Sequence, residues 1–188
     1  MGLVKTIKKS FARAKAVGKL AKAELETAAR YRSMTKGEAE TLSDEALWDC
    51  VSFRLSQQDG AQVLAEESLP RRAIYTVECF DREVQNGGLC QYFVNSSRET
   101  APELEEALSQ VGAESFRILF HDFVTEHEID VTQLERFAIH SADQFAAQAR
   151  RYPFDDFDEA YYQLYEQEPL DGLCAAYVRQ HLGDFFEH

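Results

Sequence analysis

The sequence is sparing with the residues that interrupt helices. It has 9 glycines and 4 prolines in 188 residues, which disfavours a turn-rich β fold and favours long helices. No run of about 18 apolar residues occurs, so a transmembrane helix is excluded. The first residues carry no apolar core followed by a small-residue cleavage site, so the expected compartment is a reducing cytoplasm. Cys50, Cys79, Cys90 and Cys174 are widely scattered and form no C-x-x-C pair. Each sits in or beside an apolar helical stripe, as reduced core thiols do.

The familiar catalytic signatures are missing as well. There is no G-x-x-x-x-G-K-[ST] phosphate cradle, no G-x-G-x-x-G and no G-x-S-x-G nucleophile elbow. No histidine has a glutamate three residues before it, and H-E-x-x-H is absent, so di-iron and zincin chemistry lose their ligand spacing. His121, Asp122, Glu126, His127, Glu128 and Asp130 form one local cluster. Its two histidines are six residues apart and fall on separate helix faces, so it reads as a solvated charged face. Sequence therefore implies no catalytic residue, no metal and no cofactor.

Lysine vanishes after Lys36. Residues 1–36 hold 10 lysines and arginines against 2 acids, a net charge of +8, whereas residues 37–188 hold 10 arginines against 31 acids, a net of −21. This asymmetry divides the chain into a basic segment, 1–36, and an acidic domain, 37–188. A body so acidic opposes direct nucleic-acid binding.

What is present is apolar and periodic. Hydrophobic residues make up 45% of the chain and aromatics 12%, enough for a real core in a chain of one-domain length. In the basic segment Val4, Ile7, Phe11 and Ala14 recur at three- and four-residue spacing, an amphipathic helix. That helix packs on the body or a second copy, lies on an anionic membrane surface, or covers the acidic body; its thin apolar face without tryptophan disfavours the membrane. The opening Met-Gly-x-x-x-Thr, ending at Thr6, also fits a myristoylation pattern.

After a break at Met34 to Gly37, Ser43 caps a helix carrying Leu47, Trp48, Val51 and Leu55 that ends at the turn signal Asp59-Gly60. A helix from Pro70 runs through Ile74, Val77, Phe80 and Val84 to Asn86, with a glycine C-cap at Gly87 or Gly88, and Leu89 to Asn95 forms a short helix. Thr100 to Glu103 reads as a capping box opening a helix that stops at Gly112, and Thr132 to Glu135 as another. Further stripes follow at Phe116 to Val124, from Asp155 through Tyr165, and after Pro169. The expectation is a compact all-α domain of about seven helices plus the basic N-terminal helix.

The most informative stretch is Glu83 to Ser97, EVQNGGLCQYFVNSS. Two glycines between helices allow Asn86, Gln91, Tyr92 and Asn95 to present amides and a phenol to a polar ligand, or alternatively to hold a sharp helix–Gly-Gly–helix corner. The string E-V-x-N-G-G-x-x-Q-Y-F-x-N-S, with E-A-L-x-x-V-G at Glu106 to Gly112 and F-D-D-F-D-E-A-Y-Y at Phe154 to Tyr162, resembles a bacterial all-helical family of domains of unknown function that includes a DNA-mimic protein. The resemblance covers residues 45 to 188. It implies an acidic helical dimer that occupies the DNA-binding face of a basic protein, a transcription factor or another DNA-binding protein. It does not assign that role to every relative, because mimicry depends on where carboxylates fall. The candidates are Glu99, Glu103, Glu105 and Glu106 on one helix and Asp155, Asp156, Asp158 and Glu159 on another. A small-ligand-binding or enzymatic domain with a pocket beside Asn86, Gly87, Gly88, Gln91, Tyr92 and Asn95 is the competing reading.

Overall fold

In the computed structural model, residues 22–66 and 68–186 are described, and among them every regular element is helical. The stripe at Val4, Ile7, Phe11 and Ala14 and the Met-Gly pattern lie outside the described residues. Residues 22–33 are helical (α1). Then come α2 (Lys36–Ala39), α3 (Asp44–Ser56), α4 (Gly60–Glu66), α5 (Leu69–Val94), α6 (Leu104–Gln110), α7 (Glu114–Glu126), α8 (Ala142–Ala149), α9 (Phe154–Gln167), α10 (Leu170–Gln180) and α11 (Leu182–Phe185). Ser96–Glu103 and Leu134–Phe137 are 3-10 segments.

The longest helix, α5, is the axis of the fold. It packs against α3, α4, α6, α8, α9, α10 and α11 and both 3-10 segments, while α6 packs on α7, α7 on α9 and α3 on α10. Its apolar stripe places Phe80 at the centre of an aromatic core. Phe80 meets Tyr92 of α5, Phe120 of α7, and Phe157 and Tyr161 of α9 in edge contacts, with ring centroids 5.4 to 6.5 Å apart. Such pairs add directional preference to area burial. All four cysteines are buried and unpaired, and no described helix is long and apolar enough to cross a membrane.

The local signals were honoured unevenly. Ser43 does cap α3, accepting from Ala46 N at 3.3 Å. Where a break was expected after Met34, Thr35 and Glu38 cap each other reciprocally and begin the short α2. Asp59-Gly60, expected as a turn, starts α4, because the Asp59 carboxylate accepts from Ala61 N at 3.0 Å and Gln62 N at 3.4 Å. Neither predicted capping box forms. The Thr100 hydroxyl is taken by Ser97 O and Tyr92, so Ser96–Glu103 winds as a 3-10 segment. Thr132 bonds to Asp130, and the helix beyond it begins only after Ser141. Asp155 lies in the first turn of α9, which Pro153 precedes.

The change of charge at residue 36 coincides with close packing. Tyr31 and Met34 pack with the core, Arg54 Nη1 donates to Met34 O at 3.2 Å, and Arg32 Nη2 donates to Gln57 at 3.3 Å.

Candidate interaction surface

The helical path of α5 is broken at Gly87 (φ −166°, ψ 23°) and Gly88 (φ 81°, ψ 175°). The second conformation is reserved in practice for glycine. A break of this kind strips carbonyls before it and amides after it of their helical partners. Helix α9 supplies replacements for both. Asp158 Oδ1 accepts from Leu89 N at 2.8 Å, and the Tyr162 hydroxyl lies 3.3 Å from each of Val84 O and Gln85 O. Asp158 and Tyr162 are one helical turn apart and share a face. The N-G-G string and the F-D-D-F-D-E-A-Y-Y string are thus two sides of one corner. A methyl group on Gly88 would overlap the Asp158 carboxylate.

A second carboxylate ties the other side. Glu83 Oε2 accepts from Gln91 Nε2 at 2.8 Å and Asn95 Nδ2 at 2.7 Å, and its Oε1 accepts from Ser97 Oγ at 2.7 Å. Tyr92 is wholly buried and its hydroxyl pairs with Thr100 Oγ1 at 2.7 Å. Burial pushes its pKa well up. Of the two readings of this stretch, the bonds are those of a self-contained corner: Glu83 and Thr100 take the polar groups of Gln91, Tyr92 and Asn95, although Asn95 itself is exposed. Among the motif's polar side chains Asn86 is exposed and takes no part in the bonds of the corner, and it borders a cleft next to α3.

The same sorting separates the acidic candidates. Glu103 is paired with Arg72, and Glu105 with Arg117 at 3.5 Å and His121 Nδ1 at 3.0 Å. Asp158 is half-buried at the corner, and burial raises its pKa despite the bond from Leu89 N. Glu99, Glu106, Asp155, Asp156 and Glu159 are exposed, and none is in an ion pair among the described residues. Glu106 and Glu159 accept only from Gln110 (3.0 Å) and Gln163 (3.2 Å). Helix α9 carries five acids and no basic residue. Asp155, Glu159 and Glu166 fall within about 40° of one line down its exposed side and span about 16 Å, at 3.6 residues per turn and 1.5 Å per residue.

A family model described as DMP19-like protein matches residues 65–181, more than half of the chain. The chain belongs to the DMP19-like family. No curated protein and no solved structure matches it. The DMP19-like match contains the whole corner, Glu83 to Ser97 together with Asp158 and Tyr162, and the acidic side of α9. It leaves out the basic segment, α1 to α3, most of α4 and α11. The all-helical DNA-mimic resemblance read from the sequence agrees with this family.

Two more acids lie apart from that surface. Glu78 and Asp81, on α5, are 5% and 9% exposed, and burial raises the pKa of both. Their signal in the sequence was acids set on the flank of the stripe Ile74, Val77, Phe80 and Val84. Among the described residues no three His, Cys, Asp or Glu side chains come together as metal ligands.

Proposed function

We propose that this protein is a non-catalytic interaction domain whose acidic surface binds the DNA-binding face of a basic protein, as a DNA mimic does. The observation that carries this reading is the exposed side of α9, where Asp155, Asp156, Glu159 and Glu166 form no ion pair among the described residues. Proteins that grip duplex DNA do so largely through arginines and lysines aimed at regularly spaced phosphates. A row of carboxylates on a helix competes better for those side chains when it is rigid, because ordering it on binding costs free energy. Asp158 and Tyr162 provide that rigidity by fastening α9 to the break in α5. Membership of the DMP19-like family supports the same reading, and the net charge of −21 on residues 37–188 steers the domain to basic proteins and away from nucleic acid. The partner is then a transcription factor or another DNA-binding protein.

The test is capture from native lysate on the immobilised full-length protein, eluted with a salt gradient or with duplex DNA. A DNA-binding protein released by both is the expected result. The variant Asp155→Asn, Asp156→Asn, Glu159→Gln should lose that capture with an unchanged melting temperature. Capture that survives these three substitutions would remove α9 from the interface.

A further inference from the structure

On the α3 side of α5 lies a polar feature that the α9 surface does not use. Trp48 and Ser52 of α3 and Glu78, Asp81, Arg82 and Asn86 of α5 border a cleft of about 390 Å3. Two buried carboxylates form its charged part, and they differ. Glu78 has its own cation: both of its oxygens accept from Arg82 Nη1, and Ser52 Oγ adds a bond at 3.3 Å. Asp81 has none. It accepts from neutral donors only, Gln85 Nε2 at 2.8 and 2.9 Å and the Tyr161 hydroxyl, while Asp171 adds charge of the same sign.

A carboxylate withdrawn from water without a counter-charge is costly, and a cation brought to it gains more than at an exposed site. Trp48, the only tryptophan of the chain, is partly exposed on the other wall. An aromatic face beside an acceptor suits a planar guanidinium, which stacks on the ring and donates from its edge. Asn86 adds an exposed amide oxygen at the rim.

We propose that this cleft receives an arginine side chain of the basic partner, its guanidinium stacked on Trp48 and donating to Asp81 and Asn86. The proposal rests on the acidic-surface reading and gives it an anchor. A desolvated arginine held against an aromatic ring contributes far more binding free energy than charges at a rim, which govern encounter rate.

The probe is N-acetyl-arginine amide, titrated into the full-length protein at constant ionic strength while the fluorescence of Trp48 is followed. A saturable change is expected, absent with N-acetyl-glycine amide. Asp81→Asn, which keeps an acceptor for Tyr161, should weaken it about tenfold, the loss of a charge-assisted hydrogen bond. A flat response in the wild-type protein overturns the proposal whether or not any variant folds, and so does unchanged affinity in folded Asp81→Asn. The variant Asp155→Asn, Asp156→Asn, Glu159→Gln should titrate like wild type even where it fails to capture protein, so the cleft and the α9 surface stand or fall separately. Finally, Trp48→Ala should weaken capture of the protein partner. If the probe saturates but Trp48→Ala captures normally, the cleft serves a free guanidinium compound, and its assignment to a partner's arginine is overturned.

Discussion

Asp156 and Asp158 are two residues apart on the same helix, yet they do opposite work. Asp156 stands in solvent and forms no ion pair among the described residues, whereas Asp158 turns in, accepts from Leu89 N and completes the turn that α5 leaves unfinished. The same division runs through the rest of the acidic domain. Glu83 and Asp158 fasten the corner; Glu103 and Glu105 are held by arginine; Asp155, Asp156 and Glu159 are in no ion pair among the described residues. The teaching is that a high count of acids does not measure an acidic surface. What counts is the subset that the fold leaves unspent, which here comprises the outside of α9 together with acids such as Glu99 and Glu106.

The harshest way to break that division is at Gly88. Gly88→Ala asks a side chain to adopt a backbone conformation reserved for glycine and pushes the Asp158 carboxylate off Leu89 N. The expected loss is about 3 kcal/mol or more of stability, a large share of what a domain has. Thermal or urea unfolding would measure it. A variant within half a kcal/mol of wild type, an interval set by ordinary surface substitutions, would mean that the corner is not what holds α9. Gly87→Ala should cost less, because its φ is extended and only the Gln91 side chain is displaced.

A gentler cut sharpens the contrast between the two aspartates. Asp158→Ala leaves Leu89 N without its acceptor and should cost about 1–3 kcal/mol. Asp156→Ala should stay within about 0.5 kcal/mol, as exposed substitutions do. Asp158→Asn keeps an acceptor oxygen and should fall between them. The binding order should be reversed: Asp156→Ala weakens partner capture directly, while Asp158→Asn does so only as far as α9 shifts. Equal stabilities for the two alanine variants would erase the distinction between a fastening carboxylate and a presented one.

Much of this molecule can be read from its sequence where the determining contacts are local. The 3.6-residue stripes of α3, α7, α9 and α10, the Ser43 cap and the stop near Gly112 were all readable because each depends on neighbours within a turn or so. The failures are competitions that a local reading cannot see. Thr100 fits a capping box until Tyr92, brought beside it by the fold, takes its hydroxyl. Asp59-Gly60 looks like a turn until the Asp59 carboxylate collects two amides and starts α4. The corner itself is legible in the sequence, but which way its side chains point, to a ligand or into the corner, is left open there. That direction depends on Glu83, 8 and 12 residues before Gln91 and Asn95, and on Asp158, 69 residues beyond Leu89. The short acid-containing strings that carry the family resemblance held this information without displaying it, since nothing in either string alone says that it pairs with the other.

A smaller loss than that of Asp158→Ala tests the other half of that pairing. Tyr162 is 46% exposed and its hydroxyl reaches Val84 O and Gln85 O at 3.3 Å each, so it covers the carbonyl side of the break as Asp158 covers the amide side. Long, partly solvated bonds of this kind are worth less than the buried one, because water replaces the hydroxyl when it is removed. Tyr162→Phe should therefore cost only about 0.5–1 kcal/mol, the range of an ordinary intramolecular hydrogen bond, and should leave the ring contact with Tyr161 in place. Amide hydrogen exchange gives the sharper readout: protection should fall in the turns of α5 flanking Gly87 and Gly88 and hold elsewhere, since local opening follows the bonds that are lost. If Tyr162→Phe destabilised the protein as much as Asp158→Ala, the two sides of the break would be one cooperative unit, and α9 would be held by the sum of its contacts with α5 and not chiefly by its buried carboxylate.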